Sequence, residues 1–356
     1  MKSEITTKIG WRAPSNIALV KYWGKRAGQL PENGSISITL DHSSTTTYLS
    51  FRKKEREDQE MAMEYFFHGK KHPKFCEKIA GYLNSLRLEL PFLIDYQLII
   101  QSENNFPHSA GIASSASSMA ALALCLVSME ELVTNKKLES DDFFRRASMV
   151  ARLGSGSASR SVYGGIVSWG QIATVLNSSD EYATPFQLPV ESRFRHLRDS
   201  ILIVSSEEKA FSSSSGHATM TDHSYRSGRM IQATSHVNKI TGAIRESDFQ
   251  VLAKISENEA LSLHALLLSS SSGVILLKPN TLQIIEEIRR FRESAKLDLF
   301  FTVDAGPNVH LVYFDDQRDK ILPFIQQTLS KYCEQGLWID DRIGDGPIQM
   351  TIPNAN

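Results

Sequence analysis

Residues 104–126 read NNFPHSAGIASSASSMAALALCL, and the two halves of this stretch have opposite chemistry. From Pro107 to Ser118 it is small and polar, with Gly111 and five serines in the ten residues from Ser109. From Met119 to Leu126 it is Ala/Leu-rich, a composition with strong helix propensity. The pattern predicts a loop that runs into a helix at 113–129. The first N–H groups of a helix lack internal partners and carry the positive end of its dipole. A loop with little side-chain bulk lets an anion approach them, so phosphate is the natural guest. The plain alternative is a serine-capped helix after a turn. The density of Gly and Ser, followed so abruptly by an apolar helix, favours a phosphate loop. It is neither the Gly-x-x-x-x-Gly-Lys-Ser/Thr loop nor the Rossmann glycine pattern, both of which are absent.

The rest of the composition limits what such a loop could serve. The chain has 356 residues, enough for two domains, with 41% hydrophobic and 22% charged residues. A net charge of -1 gives no global field for nucleic acid or an acidic membrane, so neither is an expected partner. An anionic substrate must be held by local Lys and Arg. Cys76, Cys125 and Cys333 are too widely spaced for a disulfide framework or a zinc site, which points to a reducing, cytoplasmic setting. The polar start MKSEITTKIG does not read as a signal peptide, and the longest apolar run, near 119–127, is short for a membrane span.

Three further stretches carry candidate chemistry. In WRAPSNIALVKYWGK (residues 11–25), Lys21 and Lys25 bracket Tyr22, Trp23 and Gly24 just after an apolar strand end. Lysines so placed suit a polyanion, although solvated surface lysines are the commoner case. In GSGSASRSVYGGIVSWG (residues 154–170), a Gly/Ser loop presents Arg160 before a strand, and a guanidinium fork suits a carboxylate or phosphate. In FTVDAGPN (residues 301–308), Asp304 ends a strand at a sharp turn, where an Asx-turn is the simpler reading. The serine tract of residues 212–216, SSSSG, reads by composition as a linker.

Strands are expected at 31–51, 61–67, 94–101, 163–169, 201–204, 299–303 and 310–313. Helices are expected at 75–88, 113–129, 140–153, 224–246, 248–270, 280–296 and 321–332, with an irregular tail from 344. That order of elements is α+β, with a domain boundary near Val190. His264, alone on an apolar helix face, reads as a structural histidine rather than a ligand.

Pro-x-x-x-Gly-x-x-Ser-Ser-Ala, at Pro107, Gly111, Ser114, Ser115 and Ala116, resembles the nucleotide loop of the GHMP small-molecule kinase superfamily. With Asn104, Asn105 and Phe106 it resembles the diphosphomevalonate decarboxylase branch. Pro-Ser-Asn-Ile-Ala-x-x-Lys-Tyr-Trp-Gly-Lys, Ser35-Ile36-Ser37, Gly-Ser-Gly-Ser-Ala-x-Arg-Ser and Phe-Thr-x-Asp-Ala-Gly-Pro-Asn are similar to further signatures of that family, in the same order. Ser159 stands where many members have cysteine, and His217-Ala218-Thr219-Met220-Thr221 departs from the family pattern.

The resemblance implies a two-domain GHMP-kinase fold. Residues 1–190 would form an ATP-binding domain of the ribosomal-protein type, and residues 191–356 a ferredoxin-like domain. It implies ATP-dependent decarboxylation of mevalonate 5-diphosphate to isopentenyl diphosphate, with ATP and Mg2+ and without a dedicated protein metal cage. By the same resemblance Asp304, Lys21 and Arg160 are catalytic. Tyr22, Lys25, Ser157, Arg160, Ser213 and Ser214 bind substrate, and Pro107, Gly111, Ser114, Ser115 and Ser118 bind ATP. A homodimer is typical of the family. The alternatives are a kinase or decarboxylase acting on mevalonate or a mevalonate monophosphate, and a non-catalytic binding protein on the same scaffold.

Overall fold

A computed structural model describes residues 7–55, 60–107, 113–207, 211 and 213–352. The first half runs β1 (Thr7–Val20), β2 (Ser35–Lys53), β3 (Ala62–Phe67), β4 (Lys70–Lys71), α1 (Pro73–Ser85), β5 (Tyr96–Asn104), α2 (Ser114–Thr134), α3 (Ser140–Gly154), β6 (Ile166–Trp169) and β7 (Ala183–Pro185). The second runs β8 (Leu197–Leu202), α4 (Ser213–Ala218), α5 (Arg226–Glu246), α6 (Phe249–Ser269), α7 (Pro279–Ala295), β9 (Leu299–Val303), β10 (Val309–Phe314), α8 (Arg318–Phe324), β11 (Trp338–Arg342) and β12 (Ile348–Gln349). The expected division near Val190 falls in the link between β7 and β8.

The first sheet has the order β12-β1-β2-β5-β3-β4, with β6 and β7 continuing from the other end of β2. β1 and β2 are antiparallel, and their register shifts between Pro14 and Asn16. Pro14 has no N–H to give to the ladder, and a bulge at that point is the usual accommodation. β2 shows two burial patterns. From Thr45 to Phe51 buried and half-buried residues alternate, as on a sheet with one covered face. From Ser35 to Leu40 every residue is buried, because helices of the second half cover the other face.

α2 lies under the first sheet and is buried from Met119 to Val127 on all its sides. Its length and apolarity would also suit a membrane span, but here its side chains fill a protein core with Leu49, Leu98 and Ile100. Ala116, Ala120, Ala121 and Ala123 keep its backbone close to its neighbours. The second sheet is antiparallel with order β11-β8-β10-β9, and α6 and α7 pack on it. α6 begins with Asp248 accepting the Val251 N–H at 3.0 Å, a regular N-cap.

The two halves share an apolar core. Ile17, Leu19, Ile36 and Ile38 of the first sheet pack in one cluster with Val237, Ile240, Leu252 and Phe300 of the second half. Phe106, at the entry to the serine-rich loop, is buried in the same cluster. The end of the chain crosses back as well. Ile343 bridges Leu40, and β12 pairs with β1 at Trp11 and Arg12.

Three expectations change on this structure. β1 begins at Thr7, well before the apolar segment that marked it in sequence. β11, sequence WIDDR, is a strand that no alternation announced. The expected helix 321–332 is split: α8 contains Pro323, a π-turn follows at Ile325–Leu329, and a 3-10 turn closes the segment. Proline withholds one helical hydrogen bond and forces that adjustment.

The crossing tail depends on Gly164. A Cβ there would overlap the Asp345 carbonyl group, and one on Gly344 would stand 2.6 Å from the Leu40 oxygen. Gly164→Ala should therefore lower unfolding stability by about 1–3 kcal/mol, the range for an overpacked site. Urea denaturation of the full chain measures it, and an unchanged midpoint would contradict the close approach.

Candidate active site

The first strand delivers Lys21 to the seam between the halves. Its ammonium donates to Ala18 O at 2.7 Å, Thr302 Oγ1 at 2.9 Å and Asp304 Oδ1 at 2.7 Å. Three acceptors match the three protons of an ammonium. The lysine side chain is 3% exposed and the aspartate 25%, so the carboxylate keeps an open side. Asp304 follows β9, and its own carbonyl accepts the Gly306 N–H at 2.6 Å and bonds His264 Nε2 at 3.1 Å. His264 is thus a structural histidine, as its setting suggested, and it steadies the turn that aims Asp304.

The main chain of Lys21 is held from the second half. Glu259 Oε2 on α6 accepts the Lys21 N–H at 2.9 Å, and Arg229 Nη2 on α5 donates to Lys21 O at 3.1 Å. Arg229 and Glu259 pair through two hydrogen bonds of 2.6 and 2.7 Å, and His236 Nδ1 meets Glu259 Oε1 at 2.6 Å. Burial would raise the Glu259 carboxyl, but the His236 and Arg229 hydrogen bonds outweigh it and hold the group at about 2. Neither Arg229 nor Glu259 was singled out in the sequence. A signal was there, since Glu259 falls four residues after Ile255 and four before Leu263 on the apolar face of α6.

Arg160 sits beside the same seam in a short 3-10 segment of the first half, Gly156–Val162. Its guanidinium donates to Ser35 Oγ at 2.7 Å, Ser37 Oγ at 3.0 Å and Asn16 Oδ1 at 3.3 Å. The Ser-x-Ser of β2 therefore serves as a cradle for Arg160. Among the described residues no carboxylate pairs with it. Burial lowers this guanidinium to about 10, while Asp304 acts to raise it. Ser159, in the place of a common cysteine, donates to Gly156 O at 2.8 Å and is fully buried.

Lys21, Arg160 and Asp304 line one cavity of about 270 Å³. Tyr22, Lys25, Ser115, Ser157 and Ser214 share its walls. Lys25 Nζ donates to Gln29 Oε1 at 3.1 Å, and burial pushes the Tyr22 phenol up. Gly156 admits the Tyr22 ring, since a Cβ there would stand 2.8 Å from its Cε1. Pro107, Ser114 and Ser118 are not among the lining residues, and the Ser118 hydroxyl is spent on Ser114 O at 2.8 Å. Gly111 and the side chain of Ser213 lie outside the described residues. Lys78, Gln29 and His217 also line the cavity without having been singled out as ligands, and only His217 stood in a stretch marked as unusual.

A cleft with an oriented carboxylate, unneutralised cations and the start of a buried helix, set between an eight-stranded and a four-stranded sheet, is that of the GHMP small-molecule kinases. Residues 13–183 match the family model described as "Diphosphomevalonate decarboxylase-like N-terminal domain". Residues 200–342 match "Mevalonate 5-diphosphate decarboxylase C-terminal domain". The chain is 33% identical over 325 residues to a diphosphomevalonate decarboxylase of Bos taurus, covering 85% of this chain and 76% of that one. Among solved structures, mevalonate diphosphate decarboxylase from Staphylococcus aureus superposes with a TM-score of 0.82 at 30% identity, covering 98% of this chain and 99% of that one. A chain described as MDDEF in complex with MVAPP, AMPPCP and magnesium gives 0.81 at 28%, covering 98% and 100%. The chain belongs to the diphosphomevalonate decarboxylase family.

Removing one partner of a buried ion pair strands the other. Glu259→Gln should cost about 3–5 kcal/mol of stability in urea denaturation at neutral pH. A loss below about 1 kcal/mol, the size of a surface pair, would show that the clamp on Lys21 is not buried as described.

Proposed function

We propose that the protein converts mevalonate 5-diphosphate and ATP to isopentenyl diphosphate, ADP, phosphate and carbon dioxide. The observation that carries this reading is the meeting, in one cavity, of the Lys21–Asp304 pair with a buried Arg160 that has no carboxylate partner among the described residues.

A tertiary alcohol is a poor leaving group, so it is phosphorylated first. Asp304, with Lys21 on Oδ1 and its side chain partly exposed to the cavity, faces the substrate hydroxyl. It orients that hydroxyl and takes its proton as oxygen bonds to the γ-phosphorus and ADP departs. Lys21 holds the carboxylate in place and offsets negative charge nearby. Arg160 is cradled by neutral hydroxyls and an amide, so its counter-charge comes from the substrate carboxylate. Positioned there, the carboxylate gives up the electron pair of its C–C bond as the new phosphate leaves with the C–O pair. The products are an alkene and carbon dioxide. Tyr22 and Lys25 hold the diphosphate end, with Ser157 and Ser214 beside it and Ser213 on the same segment.

ATP would approach over the start of α2, where Ser115 and Ala113 reach the cavity wall. Pro107, Gly111, Ser114 and Ser118 belong to the same nucleotide segment in this reading. Among the described residues no three His, Cys, Asp or Glu side chains converge on a metal position. That donor set suits Mg2+ carried on nucleotide phosphates, with hydroxyls such as Ser115 completing its shell. When bound, the ion supplies charge neutralisation at the transferring phosphoryl group. The reading further includes domains at 1–190 and 191–356, a homodimer, no nucleic-acid or membrane partner, and a cytoplasmic setting that fits the free state of Cys76, Cys125 and Cys333.

ATP-coupled release of carbon dioxide and ADP tests the reaction, with mevalonate and its monophosphates run beside the diphosphate. Equal carbon dioxide and ADP from the diphosphate alone is the expected result, and ADP without carbon dioxide would make the protein a kinase. Asp304→Asn should abolish turnover while calorimetry still records ATP binding, and ordinary turnover in that variant would remove Asp304 from its role. Arg160→Ala should weaken substrate binding more than ATP binding, and the reverse order would move Arg160 to the nucleotide.

A further inference from the structure

The stretch that departs from the family pattern places its histidine against the cavity. Gly216, in α4, lies so near Trp23 that a Cβ would collide with the indole ring, so the residue after it has little freedom. His217 is held between Tyr22 and Trp23, with ring centroids 4.2 and 4.9 Å away. Its Nδ1 accepts the backbone N–H of Gly24 at 3.1 Å. Gly24 has φ +94°, a backbone state that glycine adopts readily, and this turn aims its N–H at the ring.

A ring nitrogen that accepts a hydrogen bond carries no proton, so the neutral imidazole must bear its proton on Nε2. Burial, followed by the nearby Lys25 charge, lowers this histidine to about 3. The ring therefore stays neutral while offering one N–H. No protein acceptor for Nε2 is found among the described residues, and the ring lines the cavity beside Tyr22, Lys25 and Ser214.

We propose that His217 is a substrate-binding residue that donates its Nε2–H to a phosphate oxygen at the diphosphate end of the substrate. This rests on the assignment of the Lys25 end of the cavity to the diphosphate. The lysine supplies charge there, and the imidazole supplies direction. A compact ammonium attracts an anion from many angles, whereas one N–H fixed by two aromatic walls and a backbone bond accepts an oxygen from one.

The test compares His217→Leu with His217→Gln in the full chain, because a glutamine amide can set an N–H near the Nε2 position. His217→Leu should raise KM for mevalonate 5-diphosphate roughly tenfold, the size of one hydrogen bond to a charged group, with kcat and the ATP KM within about twofold. His217→Gln should recover most of the loss. Equal losses in both variants, a fall in kcat with KM unchanged, or no change in either would overturn the proposal.

A second measurement needs no variant. In a long-range proton–nitrogen spectrum of the wild-type protein, His217 should show the Nε2–H tautomer, and Nε2 should shift when mevalonate 5-diphosphate is added. The other tautomer, or a resonance indifferent to the substrate, would overturn it. If the wild-type protein does not bind mevalonate 5-diphosphate in calorimetry, the assignment of the cavity fails first. Normal wild-type binding with an unaltered His217→Leu removes His217 alone.

Discussion

The hydrogen-bonded ion pair between Lys21 and Asp304 sits where a strand of the first sheet meets a strand of the second. Taking an ammonium out of water costs several kcal/mol unless its protons are all received. Lys21 meets that condition with Ala18, Thr302 and Asp304. One of these acceptors lies on β1 and two lie on or just after β9, so the lysine can be buried only if both halves are in register. The main-chain contacts from Glu259 and Arg229 reinforce the same condition from α5 and α6. What fixes the interior geometry of the protein also fixes the direction of the Asp304 carboxylate.

Charge in the cleft is distributed unequally. Lys21 and Asp304 offset each other, and Arg229 and Glu259 do the same one layer behind. Arg160 rests only on neutral acceptors, and Lys25 meets a glutamine oxygen. The cleft as built therefore favours a dianionic or more highly charged guest. Neutral donors refine that attraction. The hydroxyls of Ser35 and Ser37 face inward to hold Arg160, so this charge is carried by a side chain that is itself braced. At the other end Tyr22, His217 and Trp23 form an aromatic wall that is rigid and carries little charge.

Much of this was legible along the chain, and the reasons are local. Glycine, serine and proline mark sharp turns, so the loops presenting Lys25, Arg160 and Asp304 announced themselves. The helix α6 followed from the apolar face that Leu252, Ile255, Leu263 and Leu267 give it. What sequence did not reveal depends on distant partners. Nothing near Arg229 says that its partner is Glu259, although an acid on the apolar face of a helix is a visible oddity. β11 was unreadable because Asp340, Asp341 and Arg342 break any alternation. They are tolerated because Asp341 accepts backbone N–H groups of His42 and Ser43 at 2.8 and 2.7 Å, and Asp340 pairs with Arg318 at the sheet edge. The extended start of β1 was hidden for a similar reason, since its mixed residues are fixed by β2 on one side and β12 on the other.

The apolar cluster that spans both sheets has a mechanical meaning. Ile17, Ile36 and Ile38 pack with Val237, Leu252 and Phe300 across what would otherwise be a hinge. Close-packed side chains resist sliding, because even small separations forfeit contacts along the whole surface. The Asp304 carboxylate of the second half is therefore held at a set distance from Arg160 and Lys25 of the first, and the cleft acts as a ruler rather than a clamp. A guest that touches only one half cannot be followed inward by the other. The separation of the two sides of the cleft is thus settled when the chain folds, before any ligand arrives.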